Sequence, residues 1–369
     1  MPEQTIGIGV LGCGAFGRFA LSHITEMPEV ELVGIGATYP DAADLATEQF
    51  GVPDLGSAED LVERPEVDLV YIATPPFLHH QQSMLALEAG KHVLCEKPLA
   101  LSLPQADEMM AAAGERDLLL AANLVQRYNP LYEPVRTIIE EKLLGEPLHA
   151  YFENYAKDEP LSPNHWFWDR DKSGGIFVEH GVHFFDMFHG WLGEGRVEAA
   201  QRCIRPGTEI EEQVQCTVRY GEDVLVNFYH GFHQPERLDR QELRLVFERG
   251  DVTLHGWIPI GASVEAIVDR ETRARFQEIF PDATMGVLDS YEGEQRQCTG
   301  RHKDMTVDEE IRLMTPEGID KEQRYGDMVK AMVEDQVAWI RDRAHERKIT
   351  AQNGRQSLKL ALEADRLAR

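Results

Sequence analysis

Residues 5–17 read TIGIGVLGCGAFG, and this stretch decides the fold class of the first third of the chain. The apolar run at residues 5–11 is typical of a buried parallel strand, and residues 15–26 have the pattern of a helix. In the G-x-G-x-x-G that follows the strand, the first glycine permits a tight turn, the second lets the backbone approach a pyrophosphate, and the third allows close packing of helix on strand. The stretch therefore predicts a dinucleotide-binding loop formed by Gly12, Gly14, Ala15, Phe16 and Gly17.

Strand and helix patterns alternate up to about residue 122. Apolar runs predict further strands at residues 30–36, 67–73, 92–95 and 118–122. Helical patterns occur at residues 41–50, 77–89 and 102–113, and the last of these begins with Ser102 as its N-cap. Strands that alternate with helices of this length predict a doubly wound parallel sheet of the Rossmann type. We assign residues 1–122 to this dinucleotide-binding domain.

The pattern changes after residue 130. One amphipathic helix is predicted at residues 130–144, and turns at residues 219–223 and 248–251 separate pairs of apolar runs. Close turns between apolar runs predict an antiparallel sheet. Residues 123–369 are therefore expected to form an α+β domain, with the terminal helix packing back towards the first domain. Within it, residues 269–316 are polar and fit no single pattern.

Composition excludes several classes of protein. Lys and Arg number 37 and Asp and Glu number 64, so the formal charge is −27, which argues against a nucleic-acid or anionic-membrane partner. No uncharged apolar run reaches the roughly 18 residues that a membrane helix needs. The N-terminus has no basic region of the kind that opens a signal peptide, and the five cysteines form no C-x-x-C pair. We therefore expect a cytoplasmic protein with reduced thiols.

The choice between NAD and NADP depends on the end of the second strand. Enzymes that use NAD usually place an acid about 20 residues beyond the glycines, where it bonds the ribose 2′-hydroxyl. Ala37 and Thr38 occupy this position, and we expect them to contact the cofactor. Without an acid a 2′-phosphate is not repelled, although no Arg or Lys stands ready to hold it. The sequence thus favours NAD or NADP as cofactor, with a slight preference for NADP.

Further motifs follow the later strands of the predicted sheet. Ligands of such sheets bind at the carboxyl ends of the strands, where a lysine can point into the cleft. Cys95-Glu96-Lys97-Pro98 ends one strand and Thr74-Pro75-Pro76, with His79, ends another. The residues that we expect to contact the cofactor here are Thr74, Pro75, His79 and Glu96.

Taken together, these motifs resemble the glucose–fructose oxidoreductase, inositol dehydrogenase and MocA (Gfo/Idh/MocA) family. The matching segments, in the family's order, are GCGAFG (12–17), ATPPFLH (73–79), AGKHVLCEKPLA (89–100), RYNP (127–130), SGGIFVEHGVHFFD (173–186) and QSLKLALEADR (356–366). Residues 262–320 are covered only weakly. The resemblance implies a Rossmann domain, a second domain with an open antiparallel sheet, and hydride transfer between NAD(P) and a sugar, cyclitol or related hydroxyl compound. It also implies that residues 123–369 serve for substrate binding and oligomerisation, and that the protein is a homodimer or homotetramer.

Three residues are candidates for the acid–base chemistry. The resemblance implies a lysine in the Glu-Lys-Pro motif, here Lys97, and an acid and a histidine four residues apart, here Glu179 and His183. On a helix the last two share a face, and the histidine can take the hydroxyl proton while the carboxylate orients its ring and favours its protonated form. Lys97 can stabilise the charge that develops on the same oxygen or relay the proton, and Glu179 could instead be a second substrate ligand. Glu179 departs from the Asp that is commoner in the family.

The substrate pocket is expected to contain aromatic and charged side chains, since aromatic faces stack on sugar rings and polar tips bond hydroxyls. The candidates are Arg127, Tyr155, Lys157, Trp166 and Trp168, with His165 and Asp169 in the same stretch. A local aromatic core is the alternative for this stretch, and Lys157 could equally sit in a surface ion pair. Glu179, His180, His183 and Asp186 do not form an H-E-x-x-H pattern, so we expect no catalytic metal.

The sequence therefore favours an NAD(P)-dependent oxidoreductase that acts on CH–OH groups of a carbohydrate-like substrate. Two alternatives stay open: a hydrolase or lyase that oxidises its substrate transiently with tightly held NAD, and a cofactor-binding regulator without turnover. The regulator is expected to lack the lysine or the histidine, and this chain has both Lys97 and His183.

Overall fold

The computed structural model describes residues 5–36, 40–316 and 318–368. The chain divides into two compact units. Unit 1 consists of Met1–Tyr128, Leu161–Asp186 and Tyr325–Arg366, and unit 2 of Asn129–Pro160, Met187–Arg324 and Leu367–Arg369.

Unit 1 contains the parallel sheet predicted from the N-terminal pattern. Its strands are β1 (Ile6–Leu11), β2 (Val30–Gly36), β3 (Leu69–Ile72), β4 (His92–Cys95) and β5 (Leu120–Ala122). They lie in the order β2-β1-β3-β4-β5, and every neighbouring pair is parallel. The helices between them are α1 (Ala15–Ile24), α2 (Pro40–Phe50), α3 (Ala58–Val62), α4 (His79–Glu88) and α5 (Leu103–Glu115). The predicted doubly wound α/β fold is confirmed.

The strands of unit 1 are apolar because the sheet is covered on both faces. All six residues of β1 and all four of β3 are buried. Helix α5 begins as predicted: the Ser102 hydroxyl accepts a hydrogen bond from the Gln105 backbone N–H at 3.4 Å, and Gln105 Oε1 accepts one from the Leu101 N–H at 3.2 Å. Because the strands are parallel, the loops that follow them all lie at the carboxyl edge of the sheet.

The remaining strands and helices follow in chain order. The strands are β6 (Pro147–Lys157), β7 (Gly195–Ile204), β8 (Glu211–Tyr220), β9 (Val224–Gln234), β10 (Arg240–Phe247), β11 (Gly250–His255), β12 (Gly261–Val268), β13 (Thr284–Ser290), β14 (Gln297–Gly300), β15 (Lys303–Thr306) and β16 (Glu309–Met314). The helices are α6 (Tyr132–Glu140), α7 (Arg170–Ser173), α8 (Val182–Leu192), α9 (Arg270–Ile279), α10 (Lys321–Arg341) and α11 (Ala351–Leu367).

Unit 2 is built around a nine-stranded sheet in the order β13-β16-β12-β11-β10-β6-β9-β8-β7. Both hairpins predicted from the turns are present, as β8–β9 and β10–β11, and both are antiparallel. The pair β6–β9 is parallel. These two strands are not joined by a hairpin: the chain between them forms α7, α8, β7 and β8, and a connection of that length allows parallel pairing. The sheet is therefore mostly antiparallel rather than wholly so.

The segment at residues 269–316 contributes to the sheet of unit 2. Helix α9 begins after Asp269, whose carboxylate accepts a hydrogen bond from the Thr272 N–H at 2.8 Å. Strand β16 then pairs with both β12 and β13, which makes β13 an edge strand. The short hairpin β14–β15 forms a separate two-stranded sheet. Its strands are four residues long and mostly exposed, which explains the absence of a clear apolar period.

The terminal helix α11 packs closely on unit 1, to which it belongs as far as Arg366. A Cβ atom placed on Gly354 would lie 2.9 Å from the Cβ of Ala122 and 3.1 Å from that of Leu99, so the helix backbone approaches the end of β5. Among the residues that the structure describes, no helix has both the length and the apolar character needed to cross a membrane.

Candidate active site

The glycine loop after β1 is held tightly against the sheet. Gly12 has φ +97°, and a Cβ there would lie 2.6 Å from the carbonyl carbon of Ala73. A Cβ on Gly17 would lie 2.0 Å from the carbonyl oxygen of Gly12. The first and third glycines of the motif are therefore required by contacts within the protein.

Gly14 faces open space instead. A Cβ added to Gly14 would meet no protein atom within 4 Å, and both Gly14 and Ala15 are exposed. Gly14 is the N-cap of α1, which carries neither a side-chain cap nor an acid in its first turn in the described structure. The helix therefore presents its first N–H groups and the positive end of its dipole to that space. This arrangement fits the pyrophosphate of a dinucleotide.

An aromatic cluster lies beside the loop. The ring of Phe16 is 5.8 Å from that of Phe19 and 5.7 Å from that of Tyr325, measured between centroids. Phe16 is half-buried by these contacts, so one of the residues predicted to contact the cofactor is anchored in the protein. Ala37 and Thr38, which were expected to contact the ribose, lie outside the described residues.

Two of the other residues predicted to contact the cofactor hold loops together. His79 is fully buried, and its ring nitrogens lie 2.7 Å from the carbonyl oxygen of Pro98 and 2.8 Å from that of Thr74. The Thr74 hydroxyl donates to Gln82 Oε1 at 2.6 Å, and Pro75, the next residue, is half-buried. Burial lowers the pKa of His79, although the two carbonyl contacts oppose this. His79 thus links the loop after β3 to the turn that contains Lys97.

Lys97 and Glu179 are in direct contact. The Lys97 ammonium donates to Glu179 Oε1 at 2.5 Å and to the backbone carbonyl oxygen of the same residue at 2.8 Å. The side chains are 15% and 12% exposed, so the pair is largely screened from water yet remains accessible. The structure therefore brings together the lysine and the acid, which come from segments 82 residues apart.

Glu96 belongs to a buried hydrogen-bond network behind Lys97. Its Oε1 accepts from the Tyr71 hydroxyl and from Asn123 Nδ2, both at 2.5 Å, and Asn123 Nδ2 also lies 3.2 Å from the Tyr71 oxygen. Burial raises the pKa of Glu96 to about 6, against the lowering effect of these two donors. Sequence reasoning missed Tyr71 and Asn123. The available signal was a polar tip within an otherwise apolar strand, since Tyr71 lies in β3.

The turn that carries Glu179 is a π-helix. Gly174 (φ +82°) ends α7, Gly175 (φ +88°) follows, and Phe177–Gly181 then form a π-helical turn that leads directly into α8. π-helical turns are uncommon and occur frequently at functional sites. Glu179 thus lies in the π-helical turn and His183 in the first turn of α8. Glu179 and His183 were expected to lie on one α-helix; instead, a π-helical turn carries Glu179 and the α-helix that follows it carries His183.

His183 is buried, with 2% of its surface exposed. Burial, and then the charge of Lys97, hold the pKa of His183 well below its usual value. The sequence-based expectation that Glu179 favours the protonated imidazole is therefore wrong, because Glu179 is paired with Lys97 instead. His183 is a neutral imidazole at neutral pH and can accept a proton.

Two further polar side chains lie within electrostatic range of Glu179. Burial, and then Glu96 and Glu179, raise the pKa of Tyr325 well above its usual value. Burial lowers the pKa of His165, and Glu179 opposes this. Tyr325, which follows the start of α10, was not predicted because its helix lies about 140 residues further along the chain than Glu179.

The aromatic stretch after His165 is a short 3-10 turn in unit 1. The ring of Phe167 is buried between those of Trp166 (6.4 Å) and Trp168 (4.9 Å), and Trp168 Nε1 donates to the Leu161 carbonyl at 3.3 Å. Trp166 and Trp168 are half-buried. The stretch therefore contains a small local core around Phe167 and leaves the two tryptophans partly accessible.

The other predicted substrate ligands are engaged elsewhere. Arg127 forms a bidentate ion pair with Asp186 in unit 1. Tyr155 lies in unit 2, where its ring packs 5.1 Å from that of Tyr229. Lys157, also in unit 2, donates to Glu236 at 2.5 Å, and this bond raises the pKa of Lys157. No group of three or more His, Cys, Asp or Glu side chains in the described ranges is arranged to hold a metal ion.

Comparisons with known proteins agree with this architecture. Residues 6–124 match the family model described as an oxidoreductase family with an NAD-binding Rossmann fold, and residues 132–253 match the GFO/IDH/MocA C-terminal domain. The chain is 32% identical over 229 residues to 1,5-anhydro-D-fructose reductase from Ensifer adhaerens, which covers 61% of this chain and 68% of the relative.

A second relative is dTDP-3,4-didehydro-2,6-dideoxy-alpha-D-glucose 3-reductase from Actinomadura kijaniata, 34% identical over 179 residues, 48% of this chain and 53% of the relative. With most of the curated relatives, the aligned part spans about half of their length. Among solved structures, the WlbA dehydrogenase from Bordetella pertussis, in complex with NADH and UDP-GlcNAcA, superposes with a TM-score of 0.78 at 19% identity over 99% of this chain and 96% of that one. This likeness shows that the fold is shared.

Proposed function

The chain belongs to the Gfo/Idh/MocA oxidoreductase family, and on that premise we propose that it transfers a hydride between NAD(P) and a hydroxyl or carbonyl group of a sugar, cyclitol or uronic-acid-like substrate. The observation that carries the proposal is the contact between Lys97 and Glu179, with the buried imidazole of His183 within electrostatic range of Lys97, in the same unit as the glycine loop.

The cofactor is proposed to bind at the glycine loop, where the open space at Gly14 and the uncapped start of α1 fit a pyrophosphate. Of the two nicotinamide cofactors we favour NADP slightly, because Ala37 and Thr38 place no acid against a 2′-phosphate. When bound, the nicotinamide accepts or supplies the hydride; the protein supplies binding, orientation and proton transfer.

Lys97 is proposed to act on the reacting oxygen of the substrate. Its ammonium is oriented by two acceptors of one residue, the carboxylate and the carbonyl of Glu179. In this orientation it can donate a hydrogen bond to the substrate oxygen and stabilise the negative charge that develops there. Glu179 therefore acts mainly as the residue that orients Lys97, and we propose this role in place of orienting His183.

His183 is proposed to be the general base of the oxidation direction. Because burial and Lys97 keep its imidazole neutral, it can accept the hydroxyl proton directly or through Lys97. In the reduction direction the same proton returns to the carbonyl oxygen. The buried network of Tyr71, Glu96 and Asn123 fixes the backbone directly before Lys97. The amine of Lys97 is held at its other end by its two bonds to Glu179.

The substrate class is proposed from the side chains near Glu179. His165 offers ring nitrogens, and Trp166 and Trp168 offer partly accessible aromatic faces of the kind that stack on sugar rings. The reductases named above act on sugars according to their names, which supports a carbohydrate-like substrate here. Tyr155 and Lys157 are engaged on the sheet of unit 2, so the proposal does not depend on them.

The deciding experiment is an assay of the purified protein with a panel of sugars, cyclitols and uronic acids, each with NAD and with NADP, read by the absorbance of the reduced nicotinamide. We expect substrate-dependent production of reduced cofactor that is roughly 100-fold or more slower in Lys97→Ala. The absorbance spectrum of the isolated protein is recorded first, to detect cofactor carried through purification. Product formation without net reduced cofactor would replace this proposal by a hydrolase or lyase with transient oxidation. Cofactor binding without any turnover would indicate a regulator.

We further propose a cytoplasmic location and a homodimeric or homotetrameric assembly. The five cysteines are free thiols, which suits a reducing compartment. One face of the sheet of unit 2 carries half-buried side chains such as Tyr151, Tyr155 and Tyr229, a composition enriched at protein interfaces. Sedimentation velocity measures the assembly directly, and a monomer at micromolar concentration would contradict it.

A further inference from the structure

The structure contains a buried ion pair that the proposed mechanism does not use. Arg127 Nε donates to Asp186 Oδ2 at 2.8 Å, and Arg127 Nη2 donates to Asp186 Oδ1 at 2.7 Å and to the Asp186 backbone carbonyl at 3.1 Å. The Asp186 side chain is fully buried, and the Arg127 side chain is 14% exposed. A guanidinium that forms two parallel bonds to one carboxylate fixes its direction as well as its charge.

Asp186 is close to His183 on helix α8. The helix begins at Val182, so His183 and Asp186 lie in its first two turns and are three residues apart, which places their side chains on neighbouring positions of one face. Any rotation of this end of α8 about its axis would therefore move both side chains together. Holding the Asp186 carboxylate therefore restrains the part of the helix backbone from which the imidazole of His183 projects.

The backbone before α8 is irregular. Phe177–Gly181 form a π-helical turn, and two glycines with positive φ precede it at Gly174 and Gly175. The π-helical turn leads directly into α8, so α8 does not continue a longer straight α-helix. The Arg127–Asp186 ion pair therefore adds a side-chain restraint near the start of α8 to the restraint that the turn provides.

The position of the pair in the chain adds a second argument. The first segment of unit 1 ends at Tyr128, directly after Arg127. The second segment of unit 1 ends at Asp186 itself. The pair therefore joins two exits of the chain within unit 1, one following the strand β5 and the other following the turn that carries Glu179.

From these observations we propose that Arg127 and Asp186 are positioning residues: their ion pair holds the first turns of α8 so that the imidazole of His183 stays directed towards the atoms on which Lys97 acts. Arg127 thereby acts through Asp186 and not as a substrate ligand. The inference rests on the proposed function for the role of His183.

The test compares Asp186→Asn and Arg127→Lys with wild type. Lysine keeps the positive charge beside the buried carboxylate but loses the two-pronged geometry, so Arg127→Lys provides a folded variant if Asp186→Asn does not fold. The matched control is Asp107→Asn, which breaks another bidentate pair of unit 1, that of Arg355 with Asp107 on the exposed surface. Circular dichroism and thermal melting establish that each variant is folded.

The first readout is the nitrogen NMR spectrum of histidine-labelled protein without substrate, with the His183 signals assigned from His183→Asn. We expect the His183 imidazole signals to move in Asp186→Asn and Arg127→Lys and to stay in place in Asp107→Asn. Unchanged His183 signals in the folded variants overturn the proposal. This readout needs no turnover, so it decides the positioning role even if no sugar is oxidised and the proposed function fails.

The second readout is steady-state kinetics on the substrate found in the panel. We expect kcat to fall about 100-fold in Asp186→Asn, the scale of a misplacement of about 1 Å at a reacting group, while the cofactor Kd is little changed. The kcat of Arg127→Lys is expected to lie between that of Asp186→Asn and that of wild type. A lower melting temperature with unchanged kcat and an unchanged pH profile would assign the pair to stability alone and overturn the inference.

Discussion

The ammonium group of Lys97 lies 2.5 Å from Oε1 of Glu179 and 2.8 Å from the backbone carbonyl oxygen of the same residue. One residue thus orients the amine through two acceptors, one of which carries charge. The carbonyl acceptor belongs to the backbone and is present whatever side chain occupies position 179, whereas the carboxylate contact depends on the length and charge of that side chain. This difference allows the contribution of the Glu179 side chain to be measured separately from that of Lys97.

Replacing Lys97 by alanine is expected to lower turnover by roughly 100-fold or more, because it removes the donor that stabilises charge on the reacting oxygen. Cofactor binding, measured by fluorescence titration, should remain largely intact, since the pyrophosphate is held at the glycine loop. Lys91→Ala is the matched control: Lys91 lies at the opposite end of β4, where it donates to the Arg64 carbonyl at 2.9 Å. Normal turnover in Lys97→Ala would remove this residue from the mechanism.

Changing Glu179 to glutamine or aspartate tests the orienting role. Glutamine keeps the length but loses the charge, and aspartate keeps the charge but is one methylene shorter. We expect each variant to lower kcat by about tenfold, the scale of one hydrogen bond to a charged group. Crystal structures of the two variants give the distance from Lys97 to the new side chain. We expect the variant with the shorter distance to have the higher kcat. Equal wild-type kcat in both variants would show that the backbone carbonyl alone suffices to orient Lys97.

The sequence predicted which residues meet at the site better than it predicted how they pair. The G-x-G-x-x-G motif and the Glu-Lys-Pro turn lie at loops whose place in the fold follows from the strand–helix alternation. The double glycine and Glu179 lie beyond that alternation, and only the family resemblance implied that Glu179 acts with Lys97. The partner of the Glu179 carboxylate could not be predicted, because it depends on the π-helical turn at Phe177–Gly181, which no period of apolar residues marks.

Contacts between residues that are far apart in the sequence were the other feature that local patterns did not predict. Tyr71 lies within a predicted apolar run and Asn123 directly follows another, and only the folded sheet shows that both donate to Glu96. The parallel pair β6–β9 joins strands that are far apart in sequence, whereas turn signals report only on neighbouring strands. Arg127 was expected to bind substrate, and its bond to Asp186 depends on the same kind of long-range contact.

Replacing His183 by asparagine is expected to remove the general base. Because the pKa of His183 is held below its usual value, the neutral imidazole is present throughout the neutral range and is lost only when the pH falls below it. In the oxidation direction, the wild-type rate should therefore rise with pH on the acid side of neutrality and then level off. His183→Asn should be slower and lack this rise.

The control for His183→Asn is His189→Asn, which changes a half-buried histidine further along α8. Its pH–rate profile should coincide with that of wild type. A His183→Asn profile with the same acid-side rise would assign the titrating base to another group, and the role of His183 would be withdrawn.

Stability is expected to fall as the pH falls below about 6.5, the ordinary pKa of a histidine in an unfolded chain. Burial lowers the pKa of His92 to about 4 and that of His230 to about 3. The unfolded chain therefore takes up these protons first, and acid favours unfolding between pH 6.5 and 4. Glu96 acts in the opposite direction: its pKa, raised to about 6, lets the native state bind a proton first, which adds stability as the pH falls from 6 to 4.5.

The measurement is the thermal midpoint at successive pH values for wild type, His92→Gln and Glu96→Gln. Glutamine at position 92 can still accept the hydrogen bond that the Leu119 N–H donates to His92 Nδ1 at 2.9 Å, so the variant should fold and show a weaker loss of stability below about pH 6.5. Glu96→Gln should show a steeper loss, because the offsetting proton uptake is gone. The control is His302→Gln, in an exposed turn, whose curve should follow wild type.

Alanine substitutions at Gly14 and Gly17 separate cofactor binding from folding. At Gly14 the new methyl group enters open space, so the melting temperature should be unchanged, while the cofactor Kd should rise about tenfold, or about 1.4 kcal/mol, because the methyl group occupies room meant for the pyrophosphate. At Gly17 the methyl group would lie 2.0 Å from the Gly12 carbonyl oxygen, and this overpacking should cost about 1–3 kcal/mol of stability. Calorimetric titration with NAD and NADP and thermal melting measure the two effects. Unimpaired binding of both cofactors by Gly14→Ala would show that the dinucleotide does not lie against this loop.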